Sequence, residues 1–327
     1  MANTSGENEL REVGREADLV ALADELGELA QIDVPLSPRC TYRVGGSAKV
    51  LVEVTSWDHI ELLLSVTAKY RPKVLAVGKG SNLLVSDDGF LGLAVVLGHG
   101  FDHIEIEGDV IRAGAAAGLP VVARRSAGAG LTGFEWAVGV PGSVGGALRM
   151  NAGGHGSMIS NVLFRAKVAD LYLGTISEFT VDELDLSYRH SNLEAHQLVL
   201  EAEFQLRPGS AEAAEAEIHQ IVKWRRENQP GGRNAGSVFT NPPGASAGAL
   251  IDAAGAKGLR VGSAEVSTKH ANFIQVDPNG LAADVVALMR LVRQKVYQHA
   301  GVVLEPETRL IGLELGELEI DGNAEAD

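Results

Sequence analysis

The chain has 327 residues, with 28 Lys and Arg against 43 Asp and Glu, a formal charge of −15 at neutral pH. That balance argues against a nucleic-acid-binding protein, which needs a basic face for phosphates, although a local cationic cluster can still hold an anionic ligand. A single cysteine, Cys40, excludes an intramolecular disulfide and a multi-cysteine zinc site, and there is no run of about 18 apolar residues to enter a membrane. The amino-terminal residues lack a basic-then-apolar signal pattern, so a soluble cytoplasmic protein is expected, with 1–16 a flexible tail and 314–327 an acidic one.

Leu19, Leu22, Leu26 and Leu29 have helical spacing, which predicts a helix over residues 18–30. Alternation at Ala48, Val50, Val52 and Val54 predicts a strand, and Ser56 is placed to cap a helix running to about Tyr70. Residues 74–77 read as a short strand feeding a first glycine-rich loop, Val77-Gly78-Lys79-Gly80-Ser81-Asn82. Residues 103–112 read as a hairpin turning at Gly108-Asp109. A helix over 119–129 precedes a second glycine loop, Gly139-Val140-Pro141-Gly142-Ser143-Val144-Gly145-Gly146, which runs on to Met150-Asn151-Ala152-Gly153-Gly154. Strands are expected near 164–173 and 197–206.

After Pro208 the texture changes. Residues 211–228 are rich in strong helix formers, with Ser210 as the start. Further helices are expected over 248–256 and 281–299, the latter with Val285, Leu288, Met289, Val292 and Val296 on one face. Strands and helices alternate irregularly, so the class is α+β, with one domain over 17–208 and a second over 209–313.

Two glycine loops matter chemically because glycine lets a ligand approach main-chain N–H groups, and such amide arrays form nests for phosphates. A pair of them suggests a diphosphate-bearing cofactor, where either alone reads equally as a tight turn. Three later segments carry reactive groups. Tyr188 and Arg189, read as extended, point to opposite faces; an arginine there can grip a carboxylate or sit on the surface. Ser237 lacks the Gly-x-Ser-x-Gly elbow of a hydrolase, so its hydroxyl reads as a proton donor as readily as a nucleophile, or as a turn serine. If residues 302–311 are extended, Glu305, Glu307 and Arg309 face one way, and Pro306 confines the segment to an edge or a strand start. Spacing leaves Glu305 and Glu307 equivalent, and a Glu–Arg surface pair worth about 0–1 kcal/mol is the plainer reading.

In order along the chain, Thr41-Tyr42-Arg43-Val44-Gly45-Gly46, Gly80-Ser81-Asn82, the second glycine loop and Met150-Asn151-Ala152-Gly153 match one known pattern. Tyr188-Arg189-x-Ser191, Ala235-Gly236-Ser237-Val238-Phe239-x-Asn241-Pro242, Lys269-His270-Ala271-Asn272-Phe273 and Glu307-x-Arg309 continue it. The chain resembles the UDP-N-acetylenolpyruvoylglucosamine reductases, flavoenzymes of bacterial peptidoglycan synthesis, in their shorter form. The resemblance implies an FAD-binding region of the vanillyl-alcohol-oxidase (PCMH) type in two subdomains, followed by an α+β substrate domain. It implies cofactor contacts from Tyr42, Arg43, Gly78, Gly80, Ser81, Asn82, Pro141, Gly142, Ser143, Gly145, Gly146, Asn151 and Ala152. NADPH would reduce the flavin, and UDP-N-acetylglucosamine enolpyruvate would take the hydride at C3. Arg189 and Glu307 would stabilise the enol-like intermediate, Ser237 would protonate C2, and Tyr188 and Asn241 would hold substrate. No metal and no covalent flavin link are expected. Arg149 and His155 depart from the family pattern, and Lys223, Arg225 and Arg226 are candidates for the diphosphate of the substrate. Another flavin oxidase of the same fold would explain the glycine loops but not Tyr188-Arg189, Ser237 and Glu307 together; a non-catalytic nucleotide-binding module would leave the protein colourless.

Overall fold

The computed structural model describes residues 16–318. The expected amino-terminal tail, apart from Glu16, and residues 319–327 of the acidic tail lie outside the described residues. Alternating valines put Ser47–Val54 at the interior of a four-stranded sheet, in the order Ala30–Pro35, Ser47–Val54, Phe90–Leu97, Val74–Ala76. The first pair is antiparallel and the other two are parallel. Ser56 accepts a hydrogen bond from the His59 N–H at 3.3 Å and starts Trp57–Tyr70, as its cap position predicts. Leu19, Leu22 and Leu26 of Glu16–Leu26 join Ile60 and Leu63 in a core against Val50, Val52 and Val54. Phe90–Leu97 is a strand that alternation does not announce, because Leu93, Ala94 and Val95 are buried on both faces between parallel neighbours.

A second, antiparallel sheet has the order Thr175–Thr180, Leu163–Asp170, Gln197–Gln205, Val110–Gly114, Ile104–Glu107. Its edge hairpin turns at Gly108-Asp109, with Glu107 paired to Val110 and Gly108 at φ +62°. Leu119–Gly128, the 3₁₀ turn Glu135–Gly139 and the short helix Val144–Arg149 cover one face. Ser210 caps Ala211–Asn228, which sets Ala214, Ile218 and Ile221 into the same core against Leu119–Gly128 and Glu135–Gly139. By packing, this helix therefore goes with the second sheet, although its position after Pro208 groups it with the C-terminal region. Its few buried side chains on an otherwise polar helix give no sequence sign of which neighbour they meet.

The C-terminal unit places Ala247–Ala253 and Ala282–Ala300 around a three-stranded antiparallel sheet of Arg260–Val261, Ala264–Val266 and Ile274–Val276. The expected face of the long helix, Val285, Leu288, Met289, Val292 and Val296, is buried. Tyr42, Val44 and Leu84 from the first region complete that core. Arg309–Ile311 then pairs in parallel with Leu83–Val85, in register Arg309 to Leu83, Leu310 to Leu84 and Ile311 to Val85. Only these last residues of 302–311 form a strand; Pro306 makes a single bridge to Phe239. The first residues of the expected acidic tail are held down: Leu315 is buried, Arg290 donates to the carbonyls of Glu314 and Leu315, and Arg293 donates to that of Gly316. No described helix is long and apolar enough to cross a membrane.

Leu84 is fully buried at this junction. Leu84→Ala is expected to lower the unfolding free energy by about 2–5 kcal/mol in urea titrations, the ordinary cost of a core cavity.

Candidate active site

The two glycine loops face each other. A Cβ on Gly78 would lie 2.5 Å from Ser143 Oγ, and one on Gly142 would lie 3.6 Å from Ser81 Oγ. Gly80 sits at φ +61°, where a Cβ would strike the Arg39 carbonyl at 2.0 Å, and its own carbonyl accepts from Thr41 N–H and Oγ1. Ser143 accepts from Gly146 N–H at 3.4 Å and so starts Val144–Arg149, while Gly145 packs on Ala115. The arrangement is a main-chain cradle that side chains would fill.

The other residues expected at the cofactor have varied surroundings. Tyr42 is wholly buried in the C-terminal core; its hydroxyl has no partner among the described residues, and burial pushes the phenol above its ordinary range. Arg43 is exposed at φ +60° and donates to the Pro38 carbonyl. Pro141 is exposed, and Ala152 N–H is spent on the Ala147 carbonyl. Asn82 and Asn151 turn their side-chain amides to protein: Asn82 donates to the Glu307 carbonyl at 3.0 Å, and Asn151 donates to the Ser187 carbonyl at 2.9 Å.

Arg189 is not in an extended stretch. Ser187 and His190 exchange N–H···O bonds of 3.1 Å around a two-residue turn, with Arg189 left-handed at φ +57°. The turn brings the guanidinium 5.0 Å from the centre of the Tyr188 ring, so the two side chains share one region instead of opposing. Arg189 Nε donates to Glu307 Oε1 at 2.7 Å and Nη2 to the Gly153 carbonyl at 3.1 Å. Geometry thereby separates the two glutamates. Glu305 is exposed and uses its carbonyl to accept from Thr240 N–H, whereas the Glu307 side chain keeps only 16% of its accessibility.

Ser237 joins this pair through the backbone, because the carbonyl of its neighbour Val238 accepts from Glu307 N–H at 2.8 Å. The serine is half-buried and its hydroxyl has no hydrogen-bond partner among the described residues. Asn241 N–H donates to Tyr188 Oη at 3.4 Å, while its side-chain oxygen accepts from Ala247 N–H. Arg189, Ser237, Glu307, Tyr188 and Asn241 are thus gathered from three distant segments, and Asn82 connects them to the cradle.

The C-terminal domain model of UDP-N-acetylenolpyruvoylglucosamine reductase matches residues 228–311, and an FAD binding domain model matches residues 48–180. UDP-N-acetylenolpyruvoylglucosamine reductase 1 of Bacillus anthracis is 41% identical over 284 residues, covering 86% of this chain and 94% of that one. The enzyme of the same name from Acidiphilium cryptum is 41% identical over 91% of this chain and 96% of its own. The crystal structure of the Thermus caldophilus reductase superposes with a TM-score of 0.75 at 32% identity, covering 86% of this chain and 99% of that one.

The chain belongs to the UDP-N-acetylenolpyruvoylglucosamine reductase family. It is a flavin-dependent oxidoreductase of α+β class, with an FAD-binding domain matched over residues 48–180 and the family's C-terminal domain matched over residues 228–311. The pairing of the two loops suits FAD, since Gly78 admits no side chain beside Ser143 and the loops meet through glycine backbone, the kind of main chain on which a diphosphate is laid. Gly78→Ala is expected to push Ser143 off its cap and weaken FAD binding by about tenfold, near 1.4 kcal/mol, with circular dichroism unchanged.

The charged residues of these segments are unevenly perturbed. Burial raises the Glu307 carboxyl above its ordinary range, and the Arg189 guanidinium opposes that rise without cancelling it. Burial, helped by Arg309, lowers Arg149, whose Nη1 donates to the Glu194 carbonyl at 2.7 Å. His155 lies edge-on to Trp224 at 5.2 Å and is lowered by burial and by Arg225. Arg225 is itself lowered by burial and donates to Gln229 Oε1 at 2.8 Å. Sequence reasoning gave no role to Asn272. It is buried, and its amide exchanges two hydrogen bonds with the backbone of Phe239, two residues from Ser237. Its place in the Lys269–Phe273 motif was the available signal.

Because folding raises Glu307, the folded chain retains that proton to higher pH than the unfolded chain does, and ionising it costs stability as pH rises through the interval. Glu307→Gln is expected to melt above the parent at neutral pH. The two curves should converge on acidification to about pH 4, below the free-glutamate value of about 4.3.

Proposed function

We propose that this protein catalyses the NADPH-dependent, FAD-mediated reduction of UDP-N-acetylglucosamine enolpyruvate to UDP-N-acetylmuramate, a cytoplasmic step in making peptidoglycan precursors. The observation carrying the reading is the half-buried Arg189–Glu307 pair, bonded through Glu307 N–H to the residue next to Ser237 and through Asn82 to the first glycine loop. FAD, held on the two glycine loops, would supply the redox chemistry that links NADPH oxidation to reduction of the enolpyruvyl group at C3. The protein's own groups handle the charge and the proton that this leaves behind. Arg189 offers a fixed planar cation to the substrate carboxylate, onto which negative charge spreads as C3 gains its hydride. Glu307 holds that guanidinium through Nε, leaving Nη1 for substrate.

Ser237 gives its proton to C2. A serine is a feeble acid in water, but the enol-like intermediate is strongly basic, and a hydroxyl held in line in a water-poor site loses little to reorganisation. The exposed Tyr188 and neighbouring Asn241 form one wall for substrate. Lys223, Arg225 and Arg226 provide cationic charge on Ala211–Asn228 for its diphosphate. The FAD is dissociable in this reading. Cys40, the one thiol, is buried and its pKa is pushed up to about 11, which makes it a poor nucleophile for a covalent flavin link.

Ser237→Ala should slow reoxidation of the reduced flavin by the enolpyruvyl substrate by about a hundredfold or more, the usual worth of a positioned proton donor. Anaerobic bleaching by NADPH should proceed at the parent rate. Equal loss in both half-reactions, followed by stopped-flow absorbance, would remove the serine from this role.

A further inference from the structure

We infer that Asn82, Asn151 and Asn272 are positioning residues for the substrate half of the reaction, each fixing the backbone that carries one of Glu307, Arg189 and Ser237. The inference rests on the proposed function above and extends it to residues that need not touch the substrate. Asn82 donates from Nδ2 to the carbonyl of Glu307 itself at 3.0 Å, and its own carbonyl accepts from Arg309 N–H at 2.9 Å. The backbone leaving Glu307 is thus tied to Asn82 at two successive points. Asn151, 1% exposed, donates to the carbonyl of Ser187, which opens the turn carrying Arg189, and accepts from Ser160 N–H at 3.0 Å. Asn272, 4% exposed, accepts from Phe239 N–H at 3.0 Å, donates to the Phe239 carbonyl at 2.8 Å, and uses its main-chain oxygen for Val238 N–H. Its amide does for the Ser237 segment what a neighbouring strand would do.

A buried asparagine that pairs with backbone is by itself ordinary, each such bond giving about 0.5–1.5 kcal/mol. What stability alone leaves unexplained is the placement. Three amides from three separate segments all end within two residues of the three reactive side chains. An amide also suits the task, because it presents a donor and an acceptor and carries no charge that would perturb the Arg189–Glu307 pair. Asn82 and Asn151 stand in the glycine-loop motifs, yet their side-chain amides donate to the backbone of the segments that carry Glu307 and Arg189. Arg189 most needs such support, because its left-handed φ is one that a non-glycine residue keeps only under constraint.

The test uses the FAD-loaded enzyme with Asn82→Ala, which removes the donor without adding charge at a half-buried position, and Asn272→Asp, which keeps the acceptor and loses the donor. Flavin reduction by NADPH, reoxidation by the enolpyruvyl substrate, melting temperature and FAD affinity of the apoprotein are each measured. Asn82→Ala is expected to reoxidise about tenfold slower or more, the scale on which small misplacements are felt, with reduction rate and FAD affinity within about twofold of the parent. In a Glu307→Gln background the same substitution should cost less than about twofold further, since it acts through that glutamate. A purely structural role predicts a lower melting temperature and the same factor in both backgrounds, which would overturn the inference. Weakened FAD binding with unchanged reoxidation would also overturn it, returning Asn82 to the cofactor alone. Failure of the parent enzyme to be reoxidised by the substrate would instead refute the proposed function. Asn272→Asp repeats the test at Ser237, and should it not fold, Asn82→Ala still decides the matter.

Discussion

Parallel pairing of Arg309–Ile311 with Leu83–Val85 brings the end of the chain back onto the loop that follows its first sheet. The position of Glu307 follows from that return. It sets Glu307 against Asn82, within reach of a guanidinium 118 positions earlier in the sequence, and alongside the backbone next to Ser237. Contacts so remote in sequence bear a large chain-closure cost, which is offset by the shared apolar core of Tyr42, Val44 and Leu84 with Val285, Leu288 and Leu304. The junction that assembles the chemistry is therefore also one of the cores that hold the fold together.

Within that frame the Arg189–Glu307 pair is poorly solvated, and its carboxyl is raised despite a cation at 2.7 Å. An ion pair taken this far from water is a weak source of stability, since desolvation consumes much of the Coulombic gain. In the function proposed above its value is preorganisation. A fixed cation with a spare donor edge would meet negative charge developing on a bound carboxylate without reorienting solvent at the moment of reaction. The net charge of −15 does not oppose this, because the field at the site is set by nearby arginines and main-chain N–H groups.

Much of this was legible in the sequence, for identifiable reasons. Ser56 and Ser210 announced their helices because an N-cap is a local device, and the valine alternation of Ser47–Val54 showed its half-buried strand. Thr175–Thr180 escaped notice because it is an almost wholly exposed edge strand with no apolar face to mark it. The turn at Tyr188-Arg189 was hidden because neither residue signals a left-handed conformation; tertiary bonds from Asn151 and Glu307 impose it. Glu305 and Glu307 share the same parity along an extended chain, so no periodicity could separate them. Only the partner, Arg189, does. Ordered motifs pointed to the family, while the side-chain hydrogen bonds of Asn82, Asn151 and Asn272 go to through-space neighbours that spacing does not encode.

The inaccessible Cys40 has a practical use for anyone following this enzyme in motion. With its thiol buried and reluctant to ionise, the native chain offers alkylating reagents no ready target. A cysteine introduced on the outer face of Ala211–Asn228, or on the exposed edge at Thr175–Thr180, would be the sole quick-reacting handle for a fluorophore or spin label. Distances between the flavin and such a reporter could then be read during turnover in an otherwise unaltered background.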